Sequence, residues 1–204
     1  MLQHLKLRLE EFHKLFQGKR CSGWELEELI VKSISSDTSV PYSVLWKENG
    51  HDMDADMTII IPETQNILLQ IKSGQTKNTK FIDINGEFIS KERVVTLSGN
   101  RLGRFDENFS KITDYINTLK SQVLCVPCVI SDDDLGGRQF EYNIKYLDPS
   151  CLASLNVDNW FQRGSYWEQI NPWGVRATIR PTMSWQIWWD IPVGLFEGNH
   201  NILV

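Results

Sequence analysis

The stretch from His51 to Gly74, HDMDADMTIIIPETQNILLQIKSG, predicts a β-hairpin around which the rest of the chain is arranged. Residues 57–61 are rich in β-branched side chains, residues 62–66 have the composition of a turn, and residues 67–71 form a second apolar run. A fold point near Thr64 places Asp56 opposite Lys72. Gln70 shares a face with Lys72, because side chains alternate along a strand. The hairpin therefore brings a carboxylate, a carboxamide and an ammonium group to one edge.

This trio suits the hydrolysis of a phosphodiester. A hard cation such as Mg2+ takes oxygen ligands, and the Asp56 carboxylate, the Gln70 side-chain oxygen and the Ile71 carbonyl would supply them. Lys72 would orient the attacking water or stabilise charge in the transition state. The other interpretation is a solvated acidic loop followed by an ordinary amphipathic strand.

The order Asp56, hairpin, Gln70-Ile71-Lys72 resembles the PD-(D/E)XK nuclease superfamily, in the variant where Gln replaces the Glu of the second half-motif. The resemblance covers about residues 22–131. It implies an α/β, restriction-endonuclease-like core with a mixed central β-sheet flanked by helices. The chain departs from the family pattern because it has no Pro-Asp pair, so Asp52 and Asp54 compete with Asp56 for the leading role. Asp56 is favoured because it enters the strand directly.

A helix that carries glutamates precedes the hairpin. Ser22-Gly-Trp-Glu25 is typical of a capping box and predicts a helix to about Ser35. The resemblance favours Glu27, because Gly23-x-x-Leu26-Glu27 is similar to the family's helix motif, where the glutamate helps to bind the metal or the lysine. Capping and compensation of the helix dipole are the other interpretation, and they are favoured for Glu25 and Glu28.

Length and composition indicate an ordinary globular chain. With 204 residues, 41% hydrophobic and 23% charged, one domain spanning residues 1–204 is expected. No apolar run approaches the ~20 residues that cross a bilayer, and the N-terminus lacks the pattern of a signal peptide, so a cytoplasmic chain without membrane contact is expected. The net charge of −5 argues against non-specific coating of nucleic acid, although a local basic cleft is compatible with it.

Periodicity and turn residues predict the remaining elements. Together they indicate an α/β sandwich with a mixed sheet. The expected elements are helices at 1–16 and 107–121, strands at 43–47, 93–97, 123–130 and 139–146, a hairpin at 81–89, and loops at 73–80 and 98–104.

Candidate DNA contacts lie in the second half of the chain. Six of the eight tryptophans fall between Trp160 and Trp189, which points to a core satellite, a subunit interface or a nucleic-acid surface within residues 150–204. Arginine and glutamine side chains can bind phosphates and read base edges, and solvated arginines are the other interpretation. The residues predicted to bind DNA are Arg101, Arg104, Arg176, Arg180 and Gln186.

Cys125-Val-Pro-Cys128 has the spacing of redox and zinc motifs, but it lies in an apolar run instead of opening a helix. Small buried hydrophobic residues are the favoured interpretation. A thiol-redox protein would require a lowered thiol pKa.

The leading hypothesis is a Mg2+-dependent, site-specific double-stranded DNA endonuclease that resembles type II restriction enzymes. The resemblance implies a homodimer with one active site per DNA strand and a palindromic target. In this hypothesis Asp56 and Gln70 hold the metal, Glu27 assists and Lys72 positions water. The alternative is a catalytically inactive module of the nuclease fold that binds DNA or a protein.

Overall fold

A computed structural model of the chain describes residues 1–39, 41–46, 55–83, 85–103, 108–132, 137–180 and 185–204. These residues form a mixed α/β protein that contains more sheet than helix, with two mostly antiparallel sheets. Its α-helices are α1 (Leu2–Leu15), α2 (Trp24–Ser35) and α3 (Phe109–Asn117). The α/β class is therefore confirmed, while the restriction-endonuclease-like core stays a prediction.

The chain divides into two compact units. Unit 1 comprises Met1–Ser73, Ser121–Tyr146 and Gly198–Val204, and unit 2 comprises Gly74–Lys120 and Leu147–Glu197. Each unit is assembled from segments that are separated in the sequence. That residues 1–204 act as a single domain stays a prediction.

Unit 1 is built on a seven-stranded sheet in the order β1-β2-β3-β6-β8-β13, with β7 beside β8. The β3–β6 pair is parallel, while β1–β2, β2–β3 and β7–β8 are antiparallel, so the sheet is mixed. Its strands are β1 (Ser43–Trp46), β2 (Met57–Ile60), β3 (Ile67–Lys72), β6 (Gln122–Cys125), β7 (Cys128–Asp132), β8 (Arg138–Leu147) and β13 (Glu197–Leu203).

The two helices of unit 1 bury the faces that their periodicity predicts. Leu5, Leu9 and Phe12 lie along one side of α1, and α2 likewise buries Leu26 and Ile30 at helical spacing. These side chains share one hydrophobic core with the inward residues of the sheet. This packing holds α2 and its glutamates against the part of unit 1 that contains the hairpin.

Unit 2 is built on a six-stranded sheet in the order β4-β5-β12-β11-β10-β9, and each pair is antiparallel. Short 3-10 helices lie at Pro149–Cys151, Val157–Asn159 and Val193–Leu195. The strands are β4 (Gln75–Ile82), β5 (Phe88–Gly103), β9 (Phe161–Arg163), β10 (Tyr166–Ile170), β11 (Arg176–Arg180) and β12 (Trp185–Pro192).

One face of this sheet is apolar and the other is charged. Ala177 and Ile179 of β11 pair with Trp189 and Ile187 of β12, and all four side chains are buried. Helix α3 covers this apolar face, because the Phe109 ring lies 4.8 Å from the ring of Trp167, the cross-strand partner of Ile179. The opposite face carries the side chains of Arg176, Thr178 and Asp190.

The hairpin is confirmed, but its register differs from the prediction. Met57 pairs with Leu69, whereas a fold point at Thr64 requires Met57 to pair with Ile71. The turn is centred one residue earlier, at Glu63, whose φ of 62° lies in the left-handed region. Asp56 is therefore not directly opposite Lys72.

Several other local predictions are wrong. The N-cap of α2 is Gly23, and no side chain caps this helix, so the capping box does not form. Residues 73–80 were expected to be a loop, and β4 occupies most of them. Residues 98–104 were also expected to be a loop, and β5 continues to Gly103.

The apolar run at 123–130 is not one buried strand. It divides at Val126-Pro127 into β6 and β7, because proline has no N–H to give to a sheet. Val129 and Ile130 are 49% and 47% exposed. Helix α3 is also shorter than the predicted 107–121.

Candidate functional site

Asp56 and Lys72 meet at the end of the β2–β3 hairpin. The Asp56 carboxylate accepts a hydrogen bond from the Ile71 backbone N–H at 2.6 Å and lies 3.5 Å from the Lys72 ammonium nitrogen. The Asp56 N–H donates to the Leu69 carbonyl at 2.8 Å, which fixes the backbone that carries the carboxylate. The Asp56 and Lys72 side chains are 24% and 21% exposed, so solvent reaches both.

The backbone of β3 also directs the Ile71 carbonyl toward this edge. The Lys72 carbonyl accepts from the Val126 N–H at 2.8 Å and so points toward β6. Successive residues of a strand direct their backbone groups to opposite sides. The N–H and carbonyl of Ile71 therefore both point toward the β2 side, where Asp56 lies. The Ile71 carbonyl therefore lies on the Asp56 side of β3, and its role as a metal ligand stays a prediction.

The chemical types of the oxygen atoms on this part of the hairpin suit a small hard cation. One carboxylate from Asp56, the side-chain amide of Gln70 and the Ile71 carbonyl are the ligand types that Mg2+ takes, together with water and substrate oxygens. Within the described ranges the second carboxylate oxygen of Asp56 and the Gln70 amide have no hydrogen-bond partner. The same ranges contain no group of three or more His, Cys, Asp or Glu that could hold a metal, so the candidate set relies on a single carboxylate. Asp52 and Asp54 lie outside the described residues.

Glu27 lies beside the same end of the hairpin. Its carboxylate accepts a hydrogen bond from the Trp46 indole N–H at 3.2 Å. Trp46 ends β1 and pairs with Met57, which directly follows Asp56 in the sequence. Helix α2 and the indole of Trp46 thus tie Glu27 to the strand pair that carries Asp56. This indole contact could not be inferred from the sequence, because Glu27 and Trp46 are 19 residues apart.

The two neighbouring glutamates have partners on the surface of unit 1. Glu25 pairs with Lys19 at 2.7 Å, and that hydrogen bond holds the pKa of Glu25 below its ordinary value. Glu28 pairs with Lys32, one turn further along α2. Of the three carboxylates, Glu27 is the one whose contact leads to the hairpin.

Among the predicted DNA contacts in unit 2, Arg176 is engaged inside the sheet. Its guanidinium pairs with the Asp190 carboxylate and donates to the Thr79 hydroxyl at 3.0 Å and to the Lys80 carbonyl at 3.3 Å. These contacts leave the Arg176 side chain 14% exposed. A DNA contact by Arg176 stays a prediction.

Asp190 is a buried acid to which sequence reasoning assigned no role. Its side chain is 3% exposed and also pairs with Lys77 at 3.2 Å. Burial raises the pKa of Asp190, but hydrogen bonds from Thr96 and Arg176 and the charges of Arg176 and Lys77 outweigh burial, so the pKa lies below its ordinary value. The carboxylate therefore stays ionised inside unit 2 and holds Arg176 in place.

Three other predicted DNA contacts lie side by side. Arg180 pairs with Gln186 across β11 and β12, and Gln186 pairs with Arg101 across β12 and β5. The Arg180 guanidinium lies 5.2 Å from the centroid of the Trp188 ring. Gln186 donates to the Gly99 carbonyl at 2.9 Å. Arg101 is exposed.

This row has two cationic ends with an amide between them, spaced by the ~4.8 Å that separates neighbouring strands. Sequence separation hides the arrangement, because only the pairing of β5 with β12 brings Arg101 next to Gln186. Arg104 lies outside the described residues.

The cysteines lack the features of redox nucleophiles. Burial raises the pKa of the Cys125 thiol, and burial raises that of Cys128 to about 11. A reactive thiol requires the opposite shift. Cys125 is buried as expected, while Cys128 is half-buried at the start of β7.

No helix in the part of the chain that the structure describes is long and apolar enough to cross a membrane. A cytoplasmic location stays a prediction. Comparison of the chain with protein-family models, with curated proteins and with solved structures finds no match.

Proposed function

We propose that the chain is a Mg2+-dependent, site-specific endonuclease of double-stranded DNA, similar in action to type II restriction enzymes. The observation that carries the proposal is the contact between Asp56, the Ile71 backbone and Lys72 at a solvent-accessible strand end. A carboxylate beside an ammonium group, with a carbonyl and an amide on the same short strand, is the donor set that phosphodiester hydrolysis needs.

Each residue has a separate role in the proposed reaction. Asp56, Gln70 and the Ile71 carbonyl hold the cation. These residues would hold Mg2+, which would supply Lewis-acid polarisation of the phosphate and activation of the attacking water. The Lys72 ammonium donates to the attacking water and stabilises the charge that develops on the phosphate. Glu27, which the Trp46 indole orients, assists at the same end of the sheet.

DNA would be contacted by the row of Arg101, Gln186 and Arg180, whose side chains offer donors to phosphates and to purine edges. The proposal includes a homodimer, in which one active site cuts each strand of a twofold-symmetric target. With in-line displacement, each strand would be left with a 5′-phosphate and a 3′-hydroxyl.

One observation favours an inactive DNA-binding or interaction module as the second candidate. One Asp56 oxygen already has the Ile71 N–H and the Lys72 ammonium as partners, and Gln70 brings no negative charge. The set of Asp56, Gln70 and Ile71 therefore offers a cation one carboxylate, and a site of this kind can be retained for structure alone.

Metal titration separates the two candidates. Supercoiled plasmid is incubated with the protein in EDTA, in Ca2+ and in rising Mg2+, and both binding and cleavage are followed on gels. The endonuclease predicts binding under all three conditions and discrete linear fragments with Mg2+. Binding without cuts over the whole Mg2+ range supports the module instead.

A further inference from the structure

Unit 2 contains a half-open pocket to which the proposed chemistry assigns no role. Its volume is about 290 Å³. This volume is close to the lower end of the range for ligand sites, so the pocket fits a small molecule better than an extended one. The lining residues are Phe81, Ile89, Ser90, Glu92, Ile170, Trp173, Gly174 and Pro192.

Aromatic rings form two parts of this pocket. Phe81 is buried, and the Arg176 guanidinium lies 5.0 Å from the centroid of its ring. Arg176 is held in turn by Asp190 and Thr79, so the Phe81 ring is backed by a fixed cation. Trp173 lies in the turn between β10 and β11 and is 50% exposed. A planar ligand thus finds one rigid aromatic wall and one accessible aromatic ring.

The polar groups of the pocket lie on one strand. Ser90 and Glu92 are two residues apart in β5, so their side chains point to the same face. Neither side chain has a hydrogen-bond or ion-pair partner in the ranges that the structure describes. Both are half-buried, and the other lining side chains are apolar or aromatic. A carboxylate in such surroundings favours a ligand that donates hydrogen bonds.

We propose that this pocket receives an unpaired DNA base that carries an exocyclic amino group, such as cytosine. Glu92 accepts from the amino group, as acidic side chains do from cytosine in DNA complexes. The Trp173 ring stacks on one face of the base, as in pockets that take extrahelical bases, and Phe81 forms part of the wall behind it. The assignment of DNA as the source of the base rests on the proposed function. The pocket chemistry itself does not.

The test uses free nucleosides and the full chain in metal-free buffer. Deoxycytidine and deoxyuridine form a matched pair, because they are alike in size and differ only at one edge of the base. Cytosine has an amino group at C4 and an unprotonated N3 there, whereas uracil has a carbonyl at C4 and an N3–H. Binding is followed by heteronuclear NMR of the tryptophan indole N–H groups, with the Trp173 signal identified in a Trp173→Phe variant. We expect a saturable shift of the Trp173 signal, with deoxycytidine binding about tenfold more tightly than deoxyuridine.

Two substitutions at one position isolate the carboxylate. Glu92→Met removes the acceptor at similar length and should abolish the preference for deoxycytidine, whereas Glu92→Gln keeps an acceptor oxygen and should retain part of it. Glu87→Gln, an exposed change on the same hairpin, is the control and should leave both affinities unchanged. Thermal melts verify that each variant is folded.

The proposal is overturned if neither nucleoside shifts the Trp173 signal, or if Glu92→Met keeps the preference. Plasmid cleavage with Mg2+ is measured on the same protein, so the two proposals fail separately. Cleavage without nucleoside binding rejects the pocket alone. Nucleoside binding without cleavage supports the pocket and rejects the endonuclease.

Discussion

Asp56 is the residue on which the catalytic hypothesis depends most. Its carboxylate contacts both the Ile71 backbone and the Lys72 ammonium, although the hairpin register does not set Asp56 directly opposite Lys72. The contact forms because Asp56 directly precedes β2. From this position its side chain reaches Ile71 and Lys72 at the end of β3. Local composition was sufficient to predict that Asp56 and Lys72 lie close together. It was not sufficient to predict the strand register.

Asp190→Asn should destabilise the protein far more than a surface change. The substitution removes the negative charge that Arg176 and Lys77 face inside unit 2. Breaking one side of a buried ion pair costs about 3–5 kcal/mol, because the remaining charge is left without a partner. Urea denaturation should show this loss in the free energy of unfolding. Asp158→Asn, an exposed change in the same unit, should stay within about 0.5 kcal/mol of the wild type.

The same carboxylate predicts how stability depends on pH. The pKa of Asp190 is lower in the folded protein than its ordinary value, so its contribution is present above about pH 4 and is lost as pH falls through the folded-state pKa. The free energy of unfolding of the wild type should therefore decrease on acidification below about pH 4. Asp190→Asn should show a shallower decrease. An equally steep decrease in the variant would contradict the role of Asp190.

At the scale of elements, the sequence predicts most helices and strands. It does not predict strands that consist largely of polar residues. Residues of β4 such as Lys77, Asn78 and Lys80 resemble a loop in composition, yet their backbone pairs with β5 along the whole strand. Long-range pairing overrides local propensity there. The strand divides at Pro127 because proline has no backbone N–H. This proline is visible in the sequence, but the high average hydrophobicity of residues 123–130 hides its effect.

The β5–β12 pair predicts a large effect for a small substitution. A methyl group at Gly99 would lie 2.5 Å from the Ile187 side chain and 2.7 Å from the Trp189 indole nitrogen. Gly99→Ala should therefore lower the free energy of unfolding by about 1–3 kcal/mol, because both neighbours are buried. Denaturant titrations of the wild type and the variant would measure this difference in the free energy of unfolding.

Gly194 provides the matched control for this prediction, because a methyl group there meets no atom within 4 Å. Gly194→Ala should change the free energy of unfolding by less than about 0.5 kcal/mol. Equal effects of the two substitutions would contradict the close approach of β12 to Gly99.

At the scale of the whole molecule, the chain passes repeatedly between its two units. Unit 1 takes Gly198–Val204 from the C-terminal end of the chain, and unit 2 takes Gly74–Lys120 from its middle. Boundaries of this kind follow from sheet pairing between distant segments, for example β8 with β13. The tryptophan-rich composition marks the second segment of unit 2, Leu147–Glu197, but it does not indicate that Gly74–Lys120 belongs to the same unit. The sequence therefore predicted the elements of the candidate site better than the organisation around it.

The proposed reaction also predicts the oligomeric state. Cutting both strands of a symmetric target requires two active sites, so sedimentation equilibrium should report about twice the chain mass of 23.7 kDa. The dimer should persist in Lys72→Ala, because the Lys72 contact lies within one chain. A chain that stays monomeric at micromolar concentration, both free and with DNA, would contradict the twofold arrangement.

Digestion of a sequenced plasmid with Mg2+ shows whether Asp56 and Lys72 act in DNA cleavage. Wild type, Asp56→Asn, Lys72→Ala and the exposed control Lys6→Ala are compared side by side. Wild type and Lys6→Ala should give the same discrete fragments with 5′-phosphate ends. Asp56→Asn and Lys72→Ala should bind DNA, melt cooperatively and cut at least about a hundredfold more slowly. Undiminished cleavage by either variant, or intact plasmid with folded wild type, would contradict the account.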